Sequence, residues 1–341
     1  MILCVAGDSK IGKNPMKKSI LAAMTLTFAT FGASAQVVIT TSTIAAGGIT
    51  AGDAAGYPAT ISWSGSYKLG ENIQSGSSGN FIEITGNDVT LDLNGFSVLT
   101  SNSCSKTGHP TGNTCVGSVP TAQILVKITG SRVTVKNGSV SGSNGQGIVI
   151  GSSGVRLESV TVSNSKSNGI TASVGGSGIA GVKNGTMLTG VTSILNGGLG
   201  FDGPGPGTGD VVIRNSVFSD NNGGALLYNA NVSDVTASYN QIYGVRGGRA
   251  TLERITAIGN VEDGVTDGAV VTNSVADLNQ DGFRMQGGNG TVYVADSASS
   301  NTDKGFQLVT NGCYSNIYAE NNTGGNISGG VALTGTHVTC P

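Results

Sequence analysis

The sequence predicts an all-β solenoid, a parallel β-helix with coils of about 20 residues, capped at its N-terminus. Three observations point there. Asparagine recurs at 221, 240, 260, 279, 301 and 322, in steps of 19, 20, 19, 22 and 21. A second column keeps pace with it, Gly followed by an apolar or small residue: Gly224-Ala225, Gly244-Val245, Gly264-Val265, Gly282-Phe283 and Gly305-Phe306. The third is composition. Of 341 residues 56 are Gly and only 11% are charged, where about 25% is usual. A buried stack of coils needs turns and few charges.

Other repeat classes fail on detail. Leucine-rich repeats share the length but need an L-x-x-L-x-L skeleton, and the Ca²⁺-binding nonapeptide roll needs serial G-G-x-G-x-D; neither is present. The Gly lacks the triplet period of collagen. With 18 Lys+Arg against 20 Asp+Glu, the chain lacks the basic surplus of a nucleic-acid binder. Low charge with ample Val, Ile and Leu also argues against disorder.

Residues 1–35 read as a signal peptide. Lys17-Lys18 precede an apolar run from Ile20 to Phe31, and Ala33-Ser34-Ala35 forms an A-x-A site, the three parts of a secretory leader. Met16, directly before the lysines, is a candidate true start. Export follows, to the periplasm or the medium, and no later stretch is apolar enough to span a bilayer.

Residues 36–80 read as the N-terminal cap that a solenoid requires, with Ile61, Trp63, Tyr67 and Leu69 facing its core. Residues 81–330 carry the coils, with short β runs such as Val211-Val212-Ile213. A further column is read at Val235, Ile255, Val275, Ser297 and Ile317, and Asn144, Asn164 and Asn196 extend the Asn series upstream. Small residues such as Ala237, Ala257 and Ala319 suit a narrow interior. The Cys loop at 100–123 and the turn from Gly203 to Gly207 interrupt the period. Residues 331–341 form a C-terminal staple. Four cysteines remain after leader removal, and an even count in an exported chain indicates disulfides. Three pairings are open. The two local ones, Cys104–Cys115 and Cys313–Cys340, are favoured. No CxxC is present, and His109 and His337 lie outside the regular coils, which disfavours zinc.

The run from Ile84 to Val98, with Asp92-Leu93-Asn94-Gly95, resembles an opening coil of secreted right-handed β-helix proteins of the pectate-lyase-like superfamily. The echo from Ile128 to Gly138 does so too. The resemblance covers roughly 80–330. It implies the handedness and makes an acidic polysaccharide the first partner to consider. It does not supply a catalytic signature. The Asp-Pro-His-Glu motif of the epimerases is missing, and so is the Gly-His-Gly set of the polygalacturonases.

Candidate site residues follow from the period. Aligned coils bring Asp263, Asp281 and Asp303 near one turn, with Asp263 and Asp281 one rung, about 5 Å, apart. Such close carboxylates must share a proton, pair with a cation or bind a metal. Ca²⁺ suits oxygen ligands, and a retaining glycosidase pair has the same separation; spacing leaves both open. Two positions past each Gly stand Leu226, Arg246, Thr266, Arg284 and Gln307, expected to point outward. Arg246 and Arg284 would then share one face, where their guanidinium forks suit carboxylates. Asp263, Asp281, Arg246 and Arg284 are the catalytic candidates. Tyr228, Asp267 and Asp303 are the substrate-binding ones. The expected function is an exported β-helix that binds, with cleavage left open, an extracellular acidic polysaccharide. The alternative is a structural or adhesion scaffold without glycan activity.

Overall fold

The computed structural model describes residues 36–75, 79–106, 108, 112–117, 123–172, 185–205, 210–286, 291–309 and 312–333. The leader, His109, His337, Cys340 and the last two residues of the 203–207 turn lie outside them. The expected Cys313–Cys340 pair therefore does too.

Among the described residues, strands form two large parallel sheets, of 19 and 12 strands, and one two-stranded antiparallel hairpin. Each coil gives one short strand to the smaller sheet. It gives a long strand, or two short ones, to the larger. Val211–Ser219 pairs with Ala230–Ser238, which pairs with Thr251–Ile258, each residue lying over its equivalent in the next coil. This is a parallel β-helix.

The interior is built from stacked identical positions. Ala237, Ala257, Ala276, Ala298 and Ala319 form one column. Val245, Val265, Phe283 and Phe306 form another. Phe283 and Phe306 stack with centroids 4.8 Å apart, and Tyr293 meets both edge-on at 5.7 and 5.9 Å. The Asn column is a buried ladder. The Oδ1 of Asn240, Asn260, Asn279, Asn301 and Asn322 accepts the backbone N–H of the preceding Asn at 2.9–3.1 Å. Gly264 must lack a side chain, because a Cβ there would lie 2.7 Å from Asn279 Nδ2 and 2.6 Å from the Gly282 carbonyl.

Upstream the ladder differs from expectation. Asn196 Oδ1 accepts from the backbone of Ser165, not Asn164. Asn164 sits one residue earlier at φ 57 and accepts from Cys104 N–H. A left-handed φ favours Asn, so residue type alone could not separate the two positions. The column through Val275 also needs correction. Thr256 pairs with Val275, and Ser297 with Tyr318, so Ile255 stands over Ser274, then Asp296, then Ile317. Each of these positions stands five residues before an Asn of the ladder.

At the N-terminal end Val37–Ile39 pairs with Gly65–Leu69. A short helix, Thr41–Ala46, is held by a Thr40–Thr43 capping box and buries Ile44. Ala59–Ile61 already pairs in parallel with Ile82–Ile84. Trp63 is not a core residue, being 61% exposed. Ile61 and Tyr67 supply the apolar contacts, and the Tyr67 hydroxyl donates to the Trp63 carbonyl at 3.0 Å.

The Cys loop folds into the hairpin Ser103–Lys106/Asn113–Val116, closed by the Cys104–Cys115 disulfide. It lies across four successive turns. Cys104 N–H donates to Asn164, Asn113 Nδ2 to the Asn196 carbonyl at 2.9 Å, and Lys106 Nζ to Asp220 and the Tyr239 carbonyl at 2.7 Å.

Candidate functional site

The smaller sheet carries the expected outward column. Leu226, Arg246, Thr266, Arg284 and Gln307 are register partners in successive strands. Alternation along each strand turns Val245, Val265, Phe283 and Phe306 inward and their neighbours out. Arg246 and Arg284 are partly exposed on one face. Thr266 is not solvent-facing as expected; it is buried, lying in the column between the two long Arg side chains.

Asp263 and Asp281 are register partners one rung apart, and both are about 2% exposed. Arg284 covers them. Its Nη1 is 3.4 Å from Asp263 Oδ1 and its Nε 3.9 Å from Asp281 Oδ2. Gln286 Nε2 donates to Asp263 Oδ2 at 3.3 Å, and Lys304 N–H to Asp281 Oδ1 at 2.9 Å. Burial pushes the Asp263 carboxyl up to about 6; Arg284 opposes this and Asp281 adds to it. Burial raises Asp281 as well, against the Lys304 hydrogen bond.

Arg246 pairs with Asp267 at 3.5 Å. Asp267 stands in a turn at φ 60 and accepts the Gln286 N–H at 2.7 Å. Tyr228 lies over Gly248, where a Cβ would come within 2.5 Å of its ring. Beside it, burial pushes the Tyr243 phenol up to about 12. Asp303 does not stack on Asp281. Phe283 pairs with Phe306, which brings Lys304 to that position. The cause is turn length. Asn301 to Lys304 is one residue longer than Asn279 to Asp281.

Sequence reasoning missed Gln286 and Lys304, which fix the carboxylates, and Asp296. The Asn ladder carried the signal for Asp296. It is buried, its Oδ1 accepts from Ser274 N–H at 2.7 Å, and its Oδ2 lacks a partner. Burial raises it to about 7.

The carboxylate pair does not fit Ca²⁺. That ion takes six to eight oxygens, and here a guanidinium already stands against both carboxylates. Among the described residues no group of three or more His, Cys, Asp or Glu could hold a metal.

No family model matches the chain, and no curated protein matches it at the level of sequence. Solved structures do. The Dettilon tailspike protein is similar at 11% identity and a TM-score of 0.52, over 79% of this chain and 60% of that one. A periplasmic alginate epimerase is similar at 10% identity and a TM-score of 0.51, over 81% of this chain and 75% of that one. The enzymatically active domain of bacteriophage CBA120 tailspike protein 2 gives 11% identity and 0.50, over 78% and 45%. This chain thus spans less than two thirds of either tailspike. At such identities the likeness is one of fold. The chain is a right-handed parallel β-helix, the fold of the pectate-lyase-like proteins.

Proposed function

We propose that this protein is exported and binds an extracellular acidic polysaccharide along the smaller sheet, with Arg246 and Arg284 as carboxylate receptors. One observation carries the reading. The two Arg side chains stand in one column, partly exposed, each held from beneath by carboxylates that are more buried than itself. A guanidinium so held is oriented before ligand arrives, and orientation lowers the entropic cost of a bidentate contact. Tyr228, with its ring on Gly248, adds a flat apolar surface on the same face. A β-helix presents long straight ridges, which suit an extended polymer. The similar epimerase is by its name an alginate enzyme, and alginate is an acidic polysaccharide. The disulfide supports export. Among the described residues no helix is long and apolar enough to cross a membrane.

A second reading, cleavage, is favoured by the Asp263 carboxyl. At about 6 it is protonated well above the usual carboxylate range, one rung from Asp281. A raised acid beside a second carboxylate is the arrangement of glycosidases. In that reading Asp263 gives its proton to the leaving oxygen and Asp281 attacks, once ligand draws Arg284 aside.

The test is calorimetry of the purified protein against uronate-containing and neutral polysaccharides, with reducing ends and unsaturated products assayed in parallel. Binding of acidic polymers alone, lost in Arg246→Gln and Arg284→Gln, supports the binding reading. New chain ends lost in Asp263→Asn establish the cleavage reading. No heat with any polymer would sink both and leave a scaffold.

A further inference from the structure

A cavity of about 480 Å³ lies toward the N-terminal end of the smaller sheet. Its lining includes Asn80, Ile124, Gly145, Gln146, Lys166 and Ser167. Ile124 and Gln146 are register partners. Five rungs, roughly 24 Å, separate Gln146 from the position of Asp263. Ile124 and Gly145 give the cavity an apolar surface. Gly145 stays bare, because a Cβ there would lie 2.5 Å from the Gln123 carbonyl oxygen. Three polar side chains stand ready. The Gln146 amide, the Lys166 ammonium and the Ser167 hydroxyl have no hydrogen-bond or ion-pair partner among the described residues. All three are open to solvent: Gln146 is half-buried, and Lys166 and Ser167 are exposed. Asn80 is already engaged, its Oδ1 by Ile124 N–H at 3.2 Å and its Nδ2 by Glu83 at 2.5 Å. Lys127 holds Glu83 as well, at 3.5 Å. The lining itself carries no carboxylate.

We infer that this cavity is a separate binding site for one neutral N-acetylated sugar. A trans amide points its N–H and C=O in opposite directions. An acetamido group therefore needs an acceptor on one side and a donor on the other. Gln146 supplies the acceptor: its Oε1 takes the acetamido N–H, and its Nε2 donates to the neighbouring ring hydroxyl. Lys166, which can only donate, supplies the other side and meets the acetamido carbonyl. The methyl rests against Ile124 and Gly145, and Ser167 meets a second hydroxyl at the mouth. A uronate fits less well. Its carboxylate has no N–H for Gln146, and it would meet a flexible ammonium in place of an oriented guanidinium. The volume suits one sugar, small-ligand sites being about 300–1,000 Å³. Neither Arg246 nor Arg284 takes part, so the site is independent of the acidic-polymer reading.

The test is an NMR titration of the purified protein with N-acetylglucosamine, glucose and glucuronate. N-acetylglucosamine is expected to bind. Glucose and glucuronate lack the acetamido group and its two hydrogen bonds, and should bind roughly tenfold or more weakly. Gln146→Leu and Lys166→Met should each weaken N-acetylglucosamine by roughly threefold to tenfold, one hydrogen bond's share. No binding of N-acetylglucosamine, or equal binding of glucose or glucuronate, overturns the inference. Unchanged affinity in both variants does so too. Should Gln146→Leu fail to fold, Lys166→Met, at an exposed position, decides alone. Uronate polymers are titrated on the same sample. N-acetylglucosamine binding without polymer binding keeps this site and sinks the Arg receptor reading; the reverse result sinks this site alone.

Discussion

Asp263 lies one rung above Asp281, and a single guanidinium, that of Arg284, closes over both carboxylates. Two buried like charges at this spacing repel. The pair is tolerable only with a cation or a proton between them. Here Arg284 is the cation, and the raised Asp263 carboxyl holds the proton in mildly acidic solution.

Removing that cation should therefore harm the fold. Arg284→Ala is expected to destabilise by about 1–3 kcal/mol, a value reduced because Arg284 is partly exposed. Adding Asp263→Asn should restore most of the loss. Urea unfolding of the two single variants and the double variant, read as a cycle, checks this. Additive effects would deny the coupling.

Protons give a second handle. Asp263 and Asp296 both titrate higher in the fold, at about 6 and about 7, than the ordinary 3.8. The native state therefore binds more protons than the unfolded chain between pH 4 and 7, and stability falls as pH rises through that window. Asp296→Asn should flatten the fall and raise stability at pH 8 by about 3 kcal/mol. Thermal melts from pH 4 to pH 8 measure it.

The Asn ladder is expected to resist substitution. Asn260 accepts from Asn240 and donates to the Ala237 carbonyl at 3.0 Å and to Asn279 Oδ1 at 2.9 Å. Asn260→Ala leaves several buried partners unpaired and should cost about 3–5 kcal/mol. A loss below about 1 kcal/mol in denaturant titration would contradict the ladder's role.

The hairpin staple is testable apart from the site. Replacing Cys104 and Cys115 by Ser should lower stability by about 2–3 kcal/mol, as expected for a short closed loop. Glycan affinity should stay unchanged, since the hairpin lies on the turns around Asn164 to Tyr239. Melting and calorimetry on the same sample separate the two effects.

Columns were readable from the sequence wherever turn length stayed constant. Arg246, Thr266 and Arg284 fall in register because Gly244, Gly264 and Gly282 precede them at equal spacing. Asp303 was misplaced because the turn after Asn279 is one residue shorter than those after Asn260 and Asn301, and Val275 because the neighbouring turn slips by one. Trp63 shows a different limit. Its apolar bulk suggests a core position, yet Ile61 and Tyr67 fill the available space. Burial of Asp263 and Asp281 was not legible at all. It depends on Arg284 and Gln286 folding over them, a matter of side-chain direction that period counting does not reach.

The hairpin has a mechanical consequence. A solenoid held only by adjacent coils is a linear lattice and can unzip from either end. A clasp bonded to four successive turns adds a longer-range link and resists unzipping through the middle coils, from Asn164 to Tyr239. Ile327, in the last described coil, is 43% exposed, while Phe306 beneath it in the same column is buried. Fraying under heat or force should thus begin in that last described coil, which carries Ser328 next to the rungs of Gln307 and Arg284. A polymer lying across those rungs would act as a splint, and its binding would appear as slower unzipping of the C-terminal coils.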